Sequence, residues 1–366
     1  MTVHLLAGGG TAGHVNPLLA VADHLREREA GAEVLVLGTA EGLESRLVPA
    51  RGYELLTIAK VPFPRRPNGA AVRFPNRFRR SVADVQAIIA ERHVDVVVGF
   101  GGYVSTPAYL AARRLGVPIA IHEANAKPGL ANRLGARWAE TVGVAFTGTP
   151  LRHAEVVGMP LRREIADLDR AAQRGTAAEF FGLDPEQPIL LVTGGSLGAR
   201  RINRTMTESA RAISASGWQV LHITGANSDV ADPGVDGYRL LEYADRMDLA
   251  LSVADLAVSR AGAATVCELS ALGIPSILVP YPVGNGEQRF NAADVVGADG
   301  AILVDDAVFT PEWVRTELLP LLARPHRVAE MAAAAASVGR RDGTERMVGL
   351  VDAALGAGAA GTAPDA

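Results

Sequence analysis

Two glycine-rich runs, Gly8-Gly9-Gly10-Thr11-Ala12-Gly13-His14 and Gly194-Gly195-Ser196-Leu197-Gly198-Ala199, lie in different halves of this 366-residue chain. Each follows an apolar β-like run and each opens a helical pattern. A strand feeding a glycine turn feeding a helix aims backbone N–H groups and the positive end of a helix dipole at one spot, which favours an anionic ligand. Doubling that unit predicts two similar α/β domains, each with a phosphate-type cradle, and a cleft between them. The length suits two domains, each able to bury its own core.

The first run also reads as G-x-G-x-x-G, so a nicotinamide or flavin enzyme has to be weighed. A dinucleotide fold wants an acidic residue at the end of the second strand, about 20 residues on, for the ribose hydroxyls. Here the second strand, Glu33-Val34-Leu35-Val36-Leu37, ends in Gly38, and the nearest following acid is Glu41, inside what reads as the next helix. The context argues against a dinucleotide.

Apolar runs alternate with amphipathic helical patterns, giving strands near 3–7, 33–37, 53–58, 94–99, 117–122 and 141–146. This rhythm predicts a parallel α/β sheet. Asn16-Pro17 reads as a helix start, with Asn as N-cap and Pro at the first helical position, which places His14 in the loop ahead of it. After a punctuated stretch, Thr147 to Pro160, the rhythm restarts with strands near 189–193, 218–223, 238–241, 255–258, 276–280 and 301–304. The domain boundary is therefore set at Pro160. Helical segments 310–323, 325–338 and 344–355 follow, and the Gly/Ala-rich tail, 356–366, is expected to be disordered.

Bulk properties exclude little. A net charge of −4 gives no global reason to expect nucleic acid. The single cysteine, Cys267, rules out an intramolecular disulfide and a multi-cysteine metal site, which fits a reducing cytosol. Met1-Thr2-Val3-His4 runs straight into the first strand, which argues against export. No uninterrupted apolar stretch reaches the length of about 18 residues that reads as a membrane span.

Several residues can carry chemistry. His14 follows the first glycine loop at the C-terminal edge of the sheet, where open α/β folds bind ligands; it can be a general base, a ligand contact or a packing histidine. His122-Glu123-Ala124-Asn125 ends the fifth strand. Its polar groups either brace loops or meet a ligand, and Asn125 suits a sugar hydroxyl because an amide both donates and accepts. Ser259-Arg260-Ala261-Gly262-Ala263-Ala264-Thr265-Val266-Cys267-Glu268 passes from a strand through small residues into a helix, offering backbone N–H groups. Glu268 can accept two hydrogen bonds from a vicinal diol such as a ribose. Cys267 reads as a packed hydrophobe, with no histidine near it in sequence. Gln288 and Asn291, one turn apart, suit hydroxyl recognition. Arg162, at the boundary, can pair with a phosphate or a base, or form a surface ion pair. Asp167-Leu168-Asp169 is discounted as a metal site because its setting is a charged helical stretch, and no metal is expected elsewhere.

One segment opposes the global charge. From Val61 through Arg80 the chain carries Arg65, Arg66, Arg73, Arg77, Arg79 and Arg80 with Phe63 ahead of them and Phe74 and Phe78 between them, and no acid occurs between Glu54 and Asp84. Arginines flanking exposed Phe suit an anionic bilayer surface, with Phe74, Arg77, Phe78, Arg79 and Arg80 as the contacts; nucleic acid and a solvated loop are the rival readings.

Taken in order, Gly9-Gly10-Thr11-Ala12-Gly13-His14, His122-Glu123-x-Asn125, Gly158-x-Pro160-x-Arg162, Gly194-Gly195-Ser196-x-Gly198-Ala199, Glu242-Tyr243, Ser259-Arg260-x-Gly262 with Glu268, and Gln288-x-x-Asn291 resemble the MurG family of cell-wall N-acetylglucosaminyltransferases over roughly residues 3–355. Ala12 stands where glycine is frequent, and Glu287 where another amide or a histidine is common. The resemblance implies a GT-B glycosyltransferase fold, two Rossmann-like parallel-sheet domains facing a cleft. Residues 1–160 would be the acceptor- and membrane-facing domain and 161–340 the UDP-sugar-binding domain, with 341–355 packing back on the first. It implies inverting transfer of GlcNAc from UDP-GlcNAc to the C4 hydroxyl of MurNAc in lipid I, giving lipid II and UDP for peptidoglycan synthesis.

The resemblance also assigns roles. Ser196 and its loop would meet the diphosphate, Glu268 the ribose, and the segment Ala263, Ala264, Thr265, Val266, Cys267 the donor, chiefly through the backbone of Ala263 to Thr265. Gln288 and Asn125 would read the GlcNAc hydroxyls, with Asn291 a turn beyond Gln288, while Ala244 would give backbone to the uracil and Arg162 would contact the nucleotide. Thr11, Ala12, Gly13 and His14 would face the reacting sugar and the acceptor diphosphate, with His14 the candidate base and Glu123 the second candidate. No cofactor or nucleic acid is implied, and the protein would sit peripherally on the cytoplasmic face of the cell membrane. Another UDP-sugar GT-B enzyme, such as a UDP-GlcNAc 2-epimerase or a glycolipid transferase, and a non-catalytic membrane scaffold are the alternatives.

Overall fold

Strong apolar runs become parallel strands buried on both faces, as β1 (Val3–Gly8) illustrates: all six of its residues are buried. A computed structural model of the chain describes residues 1–61, 69–195, 199–226, 228–283 and 286–361. The chain divides into two units, Met1–Arg162 together with the segment from Arg341 onward, and Arg163–Arg340.

The first unit is built on β1, β2 (Glu33–Gly38), β3 (Glu54–Thr57), β4 (Val96–Gly101), β5 (Ile119–Glu123), β6 (Thr141–Val144) and β7 (Ala154–Val156). Their order in the sheet is β3-β2-β1-β4-β5-β6-β7, all parallel. Chain direction across the sheet reverses between β1 and β4, so the loops after these two strands border the crevice where such sheets bind ligands. One face of the sheet is covered by the helix Ala12–Arg28 and by the last helix, Gly343–Gly361, whose Met347, Val348, Val351 and Ala354 join Leu18, Val36 and Val98 in one buried cluster. A bidentate pair, Arg28 to Asp352 at 2.6 and 2.7 Å, and a hydrogen bond from Thr141 Oγ1 to Leu350 O at 3.0 Å fix that last helix.

The second unit repeats the plan with β8 (Ile189–Thr193), β9 (Gln219–Ile223), β10 (Tyr238–Leu241), β11 (Leu256–Ser259), β12 (Ser276–Leu278) and β13 (Ala301–Leu303), in the order β10-β9-β8-β11-β12-β13. Its reversal falls between β8 and β11, which places the second glycine loop and the Arg260–Gly262 turn at the equivalent crevice.

Three local features differ from the sequence reading, and a fourth agrees with it. The stretch 147–160 contains the edge strand β7; with Ala154 and Glu155 exposed it has no apolar alternation to reveal it. The first helix begins at Ala12, with Pro17 inside it. Thr11, extended at φ −136° and ψ 156°, is the residue at its cap, and its carbonyl accepts the amides of His14 and Val15, both at 3.1 Å. His14 therefore belongs to the first helical turn and not to the loop, and the helix tolerates the bond that Pro17 cannot donate. The last helix continues through residues 356–361, where disorder was expected, and residues 362–366 lie outside the described part. Asp169 caps the helix Arg170–Phe181 by accepting the Ala172 amide, and Asp167 pairs with Arg163 at 3.2 Å, so the D-x-D is helix chemistry.

Candidate active site

In the first unit, the residues after β1 and β4 meet at His14. Its Nδ1 lies 3.1 Å from Gly9 O and 3.3 Å from Thr11 Oγ1. A carbonyl only accepts, so Nδ1 carries the proton and donates to Gly9 O, which leaves Nε2 with the basic lone pair. Gly101, at φ +93°, lets the backbone pass beside that nitrogen, since a Cβ there would stand 3.1 Å from Nε2. Gly102, at φ +86°, is required for a second reason: its Cβ would stand 2.7 Å from Gly9 O.

His122 and Glu123 turn inward from β5. Nε2 of His122 donates to Gly158 O at 3.0 Å, and burial, reinforced by the nearby His14, pushes its pKa down to about 4. Glu123 is buried, and both of its carboxylate oxygens are engaged. Oε1 accepts the Asn125 amide at 2.9 Å, and Oε2 accepts the Gly129 amide and Asn132 Nδ2, both at 3.0 Å. This carboxylate braces the loop that presents the half-buried Asn125. Asn132 and Tyr109 escaped the sequence reading; Tyr109 donates to Asn132 Oδ1 at 2.7 Å and anchors the same loop from beneath. Nothing in the spacing of those two residues marks them.

Glu44 was also missed. It starts the short helix Glu44–Ala50 and is buried, with Oε2 accepting the Gly10 amide at 2.8 Å and Oε1 accepting the Thr39 amide and hydroxyl at 2.9 and 2.8 Å. The first glycine loop thus already holds a carboxylate of the protein itself. Small residues at Gly9, Gly38 and Gly42 were the available signal, because a Cβ at any of them would collide with the Glu44 side chain.

The second unit presents a cavity of about 1670 Å³ at its crevice. Gly194 and Gly195 line it on one side, Gly262 and Thr265 at the start of the helix Ala263–Ala271 on another, and Tyr281 and Gln288 on a third. Arg260 sits among them, donating to Val279 O at 3.0 Å and paired with Asp306 at 2.7 Å; Arg201 meets the same Asp306 at 3.0 Å. Arg200 and Arg204 add charge to the wall, giving four arginines against Glu208, Asp229 and Asp306. Gln288 Oε1 accepts the Tyr281 amide at 2.9 Å, which orients the side-chain amide so that Nε2 is its donor end.

The remaining expected residues differ in exposure, and of them Thr265 is in the cavity's lining. Ala264, Thr265, Cys267 and Glu268 are half-buried on the helix Ala263–Ala271, whereas Ala263 and Val266 are buried. Burial, with Glu268 and Asp294 adding to it, raises the Cys267 thiol pKa, as suits a packed hydrophobe. Ala244 is half-buried in the turn before the helix Met247–Val253, and Arg162 is half-buried at the end of the first unit's opening segment. Asn291 differs from expectation: it is fully buried, and its Nδ2 donates to Ala261 O at 3.4 Å, so it supports the Arg260–Gly262 turn from behind. Ser196 lies outside the described residues.

The basic aromatic segment is a helix, Gly69–Glu91, not a loop; residues 62–68 lie outside the described part. Val72 is 81% exposed, Arg73, Arg77, Arg79 and Arg80 are exposed, and the Phe74 and Phe78 rings stack at 5.5 Å, one turn apart. Phe78 also packs against the buried cluster of the sheet, so it is a root of the patch more than a tip. Among the described residues no helix is long and apolar enough to cross a membrane.

Comparison with known proteins gives two family matches that follow the two units. Residues 4–144 match the glycosyltransferase family 28 N-terminal domain, and residues 189–347 match the family 28 C-terminal domain. A UDP-N-acetylglucosamine–N-acetylmuramyl-(pentapeptide) pyrophosphoryl-undecaprenol N-acetylglucosamine transferase of Leifsonia xyli subsp. xyli is 64% identical over 357 residues, which is 98% of this chain and 100% of that protein. A protein of the same description from Clavibacter sepedonicus is 65% identical, covering 96% of each chain. Among solved structures, Acinetobacter baumannii MurG superposes with a TM-score of 0.79 at 29% identity, covering 96% of this chain and 99% of that one.

Proposed function

This chain belongs to glycosyltransferase family 28, in its MurG branch, and from that premise we infer that it transfers N-acetylglucosamine from UDP-GlcNAc to the C4 hydroxyl of the muramoyl sugar of lipid I. Lipid II and UDP are the products, with inversion at the anomeric carbon, in peptidoglycan synthesis. The observation that carries this reading is 64% identity along 98% of the chain to a relative described by that transfer.

Each half of the chemistry has its own support. In an inverting transfer the C4 oxygen attacks the anomeric carbon as the bond from that carbon to the UDP oxygen breaks; the hydroxyl proton passes to a base and the bonding pair leaves with UDP. His14 Nε2 is the base in this scheme, supported by the hydrogen bond that fixes the proton of the ring on Nδ1. Glu123 is a positioning residue, since its oxygens are spent on the 125–132 loop. The amides of Thr11, Ala12 and Gly13 form the positive end of a helix of 17 residues and suit the acceptor diphosphate.

On the donor side, the Gly194–Gly195 turn with Ser196, together with Arg260, receives the diphosphate and compensates charge developing on the leaving UDP. Glu268 takes the ribose hydroxyls, Ala263 to Thr265 and Ala244 contribute backbone, Gln288 and Asn125 read the GlcNAc hydroxyls, and Arg162 contacts the nucleotide. Asn291 acts behind this surface. The helix Gly69–Glu91 rests peripherally on an anionic membrane at its cytoplasmic face, supported by the exposed Val72 and four exposed arginines.

A transfer assay with radiolabelled UDP-GlcNAc and a short-chain lipid I analogue tests this function. Label should enter the acceptor in step with UDP release. Epimerised UDP-sugar without transfer, or tight UDP-GlcNAc binding without turnover, would replace the reading by an epimerase or a scaffold.

A further inference from the structure

The carboxylate that fills the first glycine loop touches the candidate base through one peptide group. The N–H of the Gly9–Gly10 peptide donates to Glu44 Oε2 at 2.8 Å, and the C=O of that same peptide accepts His14 Nδ1–H at 3.1 Å. Carboxylate, peptide and imidazole therefore form one line of hydrogen bonds. A negative charge at the N–H end polarises the amide and makes its oxygen a stronger acceptor, because hydrogen bonds in a chain polarise one another. The Gly9–Gly10 peptide is held on several sides: Glu44 crowds Gly9, and the chain at Gly102 closes on Gly9 O.

From this geometry we propose that Glu44 is a positioning residue for the transfer, whose charge, delivered through the Gly9–Gly10 peptide, keeps the His14 proton on Nδ1 and the Nε2 lone pair turned to the acceptor hydroxyl. It does for this histidine what a directly bonded carboxylate does for a catalytic histidine elsewhere, with one amide inserted between them. The inserted amide answers a steric demand. The helix carrying His14 starts immediately after the loop, so the loop backbone occupies the place beside Nδ1, and a carboxylate reaches that nitrogen only by charging the backbone. The carboxylate is built to stay ionised: burial opposes its charge, but hydrogen bonds from Gly10, from its own amide and from Thr39 outweigh burial and hold its pKa below the ordinary carboxyl value. It also explains why an acid belongs here in a loop whose geometry otherwise favours anionic ligands. With Glu44 in place the Gly10 amide is satisfied from within, and an incoming diphosphate is directed to the amides of Thr11, Ala12 and Gly13.

The proposal rests on the reading of His14 as the base, and the test separates the two. Nitrogen-15 histidine spectra of the full wild-type chain should show His14 as the Nδ1–H tautomer; an Nε2–H tautomer overturns the proposal without any variant. E44Q keeps the size of the side chain and removes its charge. It should lower kcat about 10–100-fold, the size usual for a partner that orients a catalytic group, leave the KM for UDP-GlcNAc within about twofold and shift His14 toward the Nε2–H form. E44D, which restores a charge, should recover most of the lost kcat. In an H14A background, E44Q should cost less than about twofold more, because the two act as a unit. His122, which feels the charge of His14, is untouched in every arm. Multiplying losses in H14A/E44Q, or an unchanged tautomer in E44Q, would make Glu44 a loop brace and nothing more. Near-normal turnover in H14A alone would instead remove the base reading, and the proposal with it.

Discussion

The two glycine loops have the same origin, a buried parallel strand turning into a helix at a sheet reversal, and opposite contents. After β1 the Gly10 amide is taken by Glu44 at 2.8 Å, and a Cβ at Gly9 would run into that carboxylate. After β8, Gly194 and Gly195 line a cavity of about 1670 Å³, and a Cβ at Gly195 would meet nothing within 4 Å. One loop is loaded with the protein's own anion; in the other, among the described residues, the Gly195 amide meets the neutral Thr193 hydroxyl at 3.3 Å and no carboxylate. A G-x-G-type turn therefore states that backbone N–H groups converge, and not whose negative charge they receive. In this chain the loaded loop orients a histidine, and the second loop is the one we propose for the nucleotide diphosphate.

The sharpest way to break that division is to remove the group that each loop serves. His14→Ala should lower turnover by about 10²–10⁴-fold, the range for loss of a general base, with UDP-GlcNAc affinity unchanged by calorimetry. A loss of donor affinity of similar size would mean that the loaded loop also binds the donor. Replacing Arg73, Arg77, Arg79 and Arg80 by Ser should weaken binding to anionic vesicles by about 1 kcal/mol per residue, a salt-screened effect read by co-sedimentation at low and high salt. Turnover of a water-soluble acceptor should stay normal. Equal loss on the soluble acceptor would move these arginines from the membrane to the acceptor site or the fold.

Glu268→Ala acts on the open side. It should weaken UDP by about 1.5–3 kcal/mol, the worth of a charge-assisted hydrogen bond, in a protein that melts normally. Unchanged UDP affinity would take Glu268 out of the donor site. The smallest expected effect concerns stability. Each unit buries one histidine whose pKa is lowered to about 4: His122, by burial and then His14, and His222, by burial. Such a group binds its proton in the unfolded chain first, so both units should lose stability as pH falls from about 6.5 toward about 4, by roughly 2 kcal/mol per histidine between pH 7 and 5. Thermal melts of wild type and His222→Gln at those two pH values check this; the variant should lose less on acidification.

How far the sequence could be read follows the same contrast. The strands were legible because long apolar runs are what a doubly covered parallel sheet requires, and β7 was not, because two exposed residues and one half-buried one at a sheet edge leave no pattern. His14, Glu123, Gln288 and Glu268 stood out as polar residues where strands end and helices begin. Glu44 did not, since it works across 34 residues of sequence and only folding brings it to Gly10. After β2 the nearest acid in sequence is Glu41, and the carboxylate that folds onto the loop, Glu44, lies one turn further on. Asn291 was misread for the converse reason: helical spacing put it one turn from Gln288, but spacing does not say which face is buried. The helix starts not at the Asn16-Pro17 signal but after Thr11, five positions earlier, whose side chain makes no capping bond, and that shift carried His14 from the loop into the first turn.

The division between a loaded and an open loop is tested most directly by following backbone amide resonances of the full chain while UDP is added. The account predicts that the Gly194, Gly195 and Ala199 amides move in proportion to UDP bound, while the Gly9 and Gly10 amides hold their positions, in wild type and in E44Q alike. Movement of the Gly10 amide at the same UDP concentration, with Gly195 unmoved, would contradict it.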